Sequence, residues 1–205
     1  MFISFIAIYI IVTESAPACC KVLTLPGWLD SDPLHWQSRW EQLYGDERVI
    51  QHDWQTPLRG DWITRLEDLV LGTAANQPLI FAAHSLGCHL VAAWAQVSRS
   101  VLRVQGALLV APPDIARPDM PLALHSWRKP ILAKLPFAAI CVLSSNDPFA
   151  SKEASLQMAA SWGARAVTLG AFGHINAASG LGDWPDGRAL LAQLAEPDGC
   201  IQKTQ

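Results

Sequence analysis

Short apolar runs alternate along this chain with segments whose apolar residues recur at helical spacing. Lys21-Val22-Leu23-Thr24-Leu25 reads as a first strand, ended by Pro26-Gly27. Asp32 followed by Pro33 has the form of an N-cap with proline at the first helical position; Trp36, Trp40 and Leu43 then line one face until Gly45. A second strand is expected at Val49-Ile50, and Trp62, Leu66, Leu69 and Val70 mark a second amphipathic helix. Leu79 to Ala82 reads as a strand buried on both faces, followed by Leu90, Val91, Trp94 and Val97 at helical spacing. Further strands are expected at Val104 to Ala111, Ala138 to Ser144 and Val167 to Leu169, with a closing helix at Ala189 to Leu194. Strands separated by helical patterns predict an α/β fold, a mostly parallel twisted sheet with helices on both faces. Pro112 to Pro136 contains six prolines and reads as a meandering loop with one short helix, opening near Pro130 and ending by Leu135. That leaves no length for a large cap domain.

At 205 residues, with 51% hydrophobic and 16% charged residues, the chain has apolar material for one core. The expected organisation is an apolar extension over residues 1–20, a single domain over 21–197 and a polar tail over 198–205. A net charge of -3 leaves no basic stripe for a phosphate backbone, so nucleic acid is not expected as a partner. Met1 to Val12 is almost wholly apolar, but a helix of that length spans about 18 Å against about 30 Å of hydrocarbon, so no membrane span is expected. Two readings of it stand: an extension ahead of the domain, or a signal peptide with an Ala16-Pro17-Ala18 cleavage site. No Lys or Arg precedes Lys21, and the five cysteines are odd in number without zinc-type spacing. Both features favour the extension and a cytoplasmic location over export.

The chemistry centres on Ala83-His84-Ser85-Leu86-Gly87, which lies between a buried strand and a helix. A nucleophile elbow, G-x-S-x-G, holds its serine above a sheet edge on such a strand-to-helix turn. Here alanine takes the first glycine position, and both flanks stay small. The competing reading is a serine that caps a helix. Acyl transfer also needs a histidine base after the serine, an acid to orient it, and backbone donors for the oxyanion. His89 lies in the same helix as Ser85 and His125 in the proline-rich loop, whereas His174 follows the last strand in a glycine-rich loop and is the expected base. Asp147 and Asp114 both follow strand ends and compete as the acid; Asp147 is preferred because its strand directly precedes the histidine strand. The amides of Leu86 and Trp28 are the expected oxyanion donors. Trp28, Trp36, Phe149 and Phe172 are expected around a small apolar acyl pocket. No metal or cofactor is required.

LPGWLDSDPLHWQSRWE near the start, AHSLG, SSNDPF and GHINAASGLGDWPDG together resemble the small serine hydrolases of the retinoblastoma-binding-protein-nine family and their bacterial relatives, over about residues 21 to 195. The resemblance implies a compact α/β-hydrolase without a large cap and a Ser85, Asp147, His174 triad; Ala83 departs from the usual glycine. The functional expectation is a serine hydrolase cleaving a carboxylic ester or related acyl bond in a small-molecule substrate. The alternative is a hydrolase fold serving as a protein-binding module, since fold alone does not determine function.

Overall fold

A computed structural model describes residues 20–195. The expected tail over 198–205, and the expected extension apart from Cys20, lie outside the described residues.

Among the described residues, six parallel strands form one sheet in the order β2-β1-β3-β4-β5-β6: β1 (Lys21–Leu25), β2 (Glu47–Arg48), β3 (Leu79–His84), β4 (Val104–Val110), β5 (Ala138–Leu143) and β6 (Arg165–Thr168). Side chains of a strand point alternately to the two faces, and β3 divides accordingly. Leu79, Phe81 and Ala83 join a core with Trp62, Leu66 and Trp94, while Ile80 and Ala82 join a second core with Trp36, Trp40 and Trp184. Helices α1 (Trp36–Tyr44) and α5 (Pro185–Ala192) supply the second core, and α2 (Arg59–Gly72), α3 (Leu86–Val97) and α4 (Lys152–Trp162) the first. The described residues thus form the parallel α/β sheet, with helices on both faces, that the pattern predicts.

Several boundaries differ from the sequence expectation. Helix α1 starts at Trp36 with His35 as its cap, its Nδ1 accepting from Gln37 N at 3.1 Å. Asp32 instead closes the preceding turn, accepting from Leu34 N at 2.8 Å. Leu43 is exposed, so Trp36 and Trp40 carry the packing of that face. The ladder of β2 covers Glu47–Arg48, the two residues directly before Val49-Ile50; Val49 is buried but Ile50 is exposed. Helix α5 begins at Pro185, four residues before Ala189. No helix opens near Pro130. The irregular stretch carries its 3₁₀ segment at Leu122–Trp127, because Leu124 and Trp127 bury there and Trp127 Nε1 donates to Pro57 O at 2.9 Å.

Helix α4 was not anticipated from the pattern. It buries Ser155, Met158, Ala159 and Trp162 at helical spacing, but only Met158 and Trp162 are large and apolar, which leaves a short stripe. Its end signals are nonetheless present: Ser151 caps Ala154 N at 3.1 Å, and Gly163 stops the helix with a φ of 69°.

The strand order reverses at β1, whose neighbours are β2 and β3. Clefts at such a switch point, outside the carboxyl ends of the strands, are where open α/β sheets bind ligands. Ser85 follows β3 and Gly27 follows β1, which places them on either side of that cleft.

Candidate active site

Ser85 occupies the turn between β3 and α3 with φ 54° and ψ -123°. A non-glycine residue in this region costs about 1–3 kcal/mol and persists where the surrounding structure over-determines it. The turn is held because Ser85 N still donates to Val110 O at 2.9 Å, continuing the β3–β4 ladder past the last strand residue. Ala83 has no positive φ and pairs within the sheet with Leu25 and Leu109, so alanine is accommodated where the motif usually has glycine. Gly87 is different. A Cβ there would lie 2.2 Å from Leu25 O and 2.9 Å from Pro26 O, both backbone atoms that cannot swing away. Gly87→Ala is therefore expected to destabilise the domain by ~3 kcal/mol or more, read as a shifted urea midpoint. A shift below a quarter of that would show that α3 can slide away from β1.

Ser85 Oγ is 2.8 Å from His174 Nε2, and His174 Nδ1 is 2.9 and 3.0 Å from the two carboxylate oxygens of Asp147. The Asp147 side chain is only 3% exposed and that of His174 10%, so the pair works in a largely dry setting. Asp147 stands on the loop after β5 and His174 on the loop after β6. Two residues stitch these loops together: Asn146 Oδ1 accepts from Gly173 N at 2.7 Å, and Ser144 Oγ accepts from Phe172 N at 3.0 Å. The backbone of Phe149 donates to Asp147 Oδ1 at 2.9 Å, fixing the carboxylate.

The competing candidates point elsewhere. Asp114 caps its own turn, accepting from Ala116 N at 3.1 Å, and its described contacts include none with His174. His125 is exposed on the 3₁₀ segment. His89 is buried in α3, and its Nε2 lies 2.8 Å from Pro113 O. A carbonyl only accepts, so Nε2 carries the hydrogen and the unpartnered Nδ1 is bare. Burial lowers this imidazole to about 4. The unfolded chain then takes up a proton near the ordinary value of about 6.5, before the folded one does, so stability is complete above that value and declines as pH falls toward about 4. Between about pH 7 and pH 5 the expected loss from His89 is ~2 kcal/mol. Urea titrations at the two pH values check it: His89→Gln should flatten the difference, and an unchanged difference would assign the acid sensitivity to other groups.

A cavity of about 300 Å³ opens over Ser85 and His174. Its apolar wall is made by Trp28, Leu29, Met120, Pro121, Leu124 and Phe149, and its polar side includes Asp32, His35 and Asn176. Phe149 also packs edge-on to the His174 ring, 4.6 Å between centroids. Of the four aromatics expected around a pocket, Trp28 and Phe149 line it, whereas Trp36 and Phe172 do not. Trp36 is buried in the core beneath α1, where apolar packing claims its large ring. Phe172 is 39% exposed and serves the site through its backbone N–H. Met120 and Leu124 were hidden within the proline-rich stretch, and Asn146 showed only as the polar residue before Asp147. His35 is held down to about 4, chiefly by burial with Asp32 opposing, and burial holds His84 well below the usual histidine range. Both rings beside the cavity are therefore neutral at pH 7.

Gly27 lies directly under the serine: a Cβ there would sit 2.7 Å from Ser85 Cβ. Leu86 is the first residue of α3, so its N–H has no intrahelical acceptor. Leu29 N and Asp30 N are taken by Trp54 O and Gly27 O, and none of the described backbone bonds uses Trp28 N. Among the described residues, no cluster of three or more His, Cys, Asp or Glu is arranged to hold a metal ion, and no helix is long and apolar enough to cross a membrane.

Comparison with solved structures returns this same architecture. A YdeN-like hydrolase from Pectobacterium atrosepticum is 28% identical, over 86% of this chain and 90% of that one, with a TM-score of 0.74. The ydeN gene product of Bacillus subtilis is 18% identical, over 85% and 98%, with a TM-score of 0.66. A carboxylesterase from Bacillus subtilis, 14% identical over 84% and 82% with a TM-score of 0.56, shares the fold. No curated protein matches the sequence. A serine hydrolase family model matches residues 22–193, which include the elbow, both loops and the cavity between them. The chain belongs to the serine hydrolase family, among its small members of the retinoblastoma-binding-protein-nine type.

Proposed function

We propose that this hydrolase cleaves carboxylic esters or related acyl bonds of small molecules through a covalent acyl-enzyme on Ser85. The observation that carries the reading is the unbroken line of hydrogen bonds from Ser85 Oγ through His174 to Asp147, 2.8 Å and then 2.9 Å, on the floor of an apolar cavity. In the first half-reaction Ser85 Oγ attacks the acyl carbon as its proton passes to His174 Nε2. Asp147 holds Nδ1–H and stabilises the imidazolium without taking the proton itself. The tetrahedral oxyanion is received by the N–H groups of Leu86 and Trp28, on the two sides of the cleft. His174 then returns the proton to the leaving alcohol. In the second half-reaction His174 takes a proton from water, the hydroxide attacks the acyl carbon, and Ser85 leaves with that proton restored. The cavity wall of Trp28, Met120, Leu124 and Phe149 suits an apolar acyl group of modest size. A reducing compartment is inferred as well, supported by the buried thiols of Cys88 and Cys141.

A fluorophosphonate probe tests the chemistry. Stoichiometric labelling is expected, and peptide mass spectrometry should place it on Ser85, with hydrolysis of short- to medium-chain esters lost in parallel. Folded protein that takes no label, or takes it on another side chain, would refute the mechanism and favour a binding role for the fold.

A further inference from the structure

Ile175, the residue directly after His174, has a φ of +49° and is fully buried. A β-branched residue in the left-handed region is strained by about 1–3 kcal/mol, and it stays there only where its surroundings leave no alternative. Two side-chain donors supply that constraint. The peptide before Ile175 presents the His174 carbonyl to His84 Nε2 at 2.8 Å, and the peptide after it presents the Ile175 carbonyl to Trp36 Nε1 at 3.0 Å. These carbonyls belong to the two peptide planes that rotate about the Ile175 Cα, so gripping both fixes its φ and ψ together. The Ile175 side chain completes the hold by packing in one core with Trp36 and Trp184.

The donors are rooted in rigid elements. His84 ends β3 and adjoins Ser85 in the chain; Trp36 opens α1. A carbonyl can only accept, so His84 Nε2 carries the hydrogen, and burial keeps the ring neutral. On the Asp147 side the same loop is held through Gly173 N and Phe172 N by Asn146 and Ser144. His174 thus stands between two sets of anchors, one leading to its acid and the other to its nucleophile's strand.

We propose that His84 is a positioning residue: by holding the His174 carbonyl while Trp36 holds the next one, it clamps the strained Ile175 turn and sets the His174 imidazole within reach of Ser85. The inference rests on the Ser85–His174 reading above. A displacement of about 1 Å in a catalytic group costs on the order of 10²-fold in rate. His84→Leu removes the donor, and is expected to lower kcat by about 10- to 100-fold with KM little changed. His84→Gln, whose amide can reach the same carbonyl, should recover most of that loss. Trp36→Phe keeps an aromatic ring but lacks the Nε1 donor, and should lower kcat in the same sense.

Proton NMR reads the clamp without turnover. The far-downfield proton of the His174–Asp147 hydrogen bond should be sharp in the wild type, broadened or absent in His84→Leu and Trp36→Phe, and restored in His84→Gln. If His84→Leu keeps both wild-type kcat and the sharp proton, the positioning role is overturned; should that variant not fold, the same result in Trp36→Phe overturns it. Equal losses in His84→Leu and His84→Gln would also overturn it, by making the ring a packing element alone. Failure of the wild type to label at Ser85 would instead sink the mechanism on which the clamp depends.

Discussion

Alanine in place of Ser85 is expected to lower ester turnover by about 10⁶-fold, as loss of the nucleophile does in serine proteases, while the fold persists. On the proposed mechanism, the large effect follows from removing the atom that forms the acyl bond; what remains is binding and oxyanion stabilisation of direct attack by water. Persistence of the fold follows from the local structure. The Ser85 side chain makes no capping hydrogen bond to α3, and its described partner is His174 alone. Alanine keeps the Cβ that lies over Gly27, so the elbow's packing is unchanged. Single-turnover kinetics with a chromogenic ester, together with a thermal melt, measure both halves of the expectation. Turnover within tenfold of wild type would mean that another group carries the acyl chain.

The second large effect is expected at the acid. Asp147→Asn should reduce turnover by about 10⁴-fold with substrate binding little altered. Asparagine fits the space of aspartate but carries no charge to stabilise an imidazolium. Its amide nitrogen, facing Nδ1, also favours the tautomer that puts the proton on Nε2, where it blocks acceptance from Ser85. The carboxylate contacts Nδ1 through both oxygens and is nearly excluded from water, so solvent offers little compensation. Asp114→Asn is the matched control: its carboxylate caps Ala116 N, and the cost to turnover should be severalfold at most. If the two variants exchanged these effects while both stayed folded, the acid would belong to the β4 loop.

Much of the framework was legible because periodicity reports burial. Strands β1, β3, β4 and β5 are near-continuous apolar runs, the mark of a parallel sheet covered on both faces. Helix α2 showed itself through Trp62, Leu66 and Val70, all of which are buried. Ser85, His174 and Asp147 could be singled out because the chemistry restricts residue type and chain order, and each lies just after a strand. The misreadings fall where burial and local signal part company. Helix α4 marks its buried face with only two large apolar residues, Met158 and Trp162, and β2 is a two-residue edge ladder with little apolar content. The Asp32-Pro33 signal is a true turn signal that the chain spends three residues before the helix.

By itself, then, the sequence determined the α/β class and the strand-to-helix elbow, and narrowed the proposed triad to Ser85, His174 and one of two aspartates, since these depend on residue type, spacing and order along the chain. Only the tertiary structure decided which aromatics meet the substrate space, because a tryptophan's sequence neighbours do not say whether its ring faces a cavity or a core: Trp28 lines the cavity and Trp36 packs beneath α1. It likewise decided that Asp147 and not Asp114 faces His174, and that His84 and Trp36 hold the consecutive carbonyls around Ile175. Those contacts join residues 27 to 139 positions apart. Such pairings arise only when the parallel crossovers bring the strand ends together, and no local pattern encodes them.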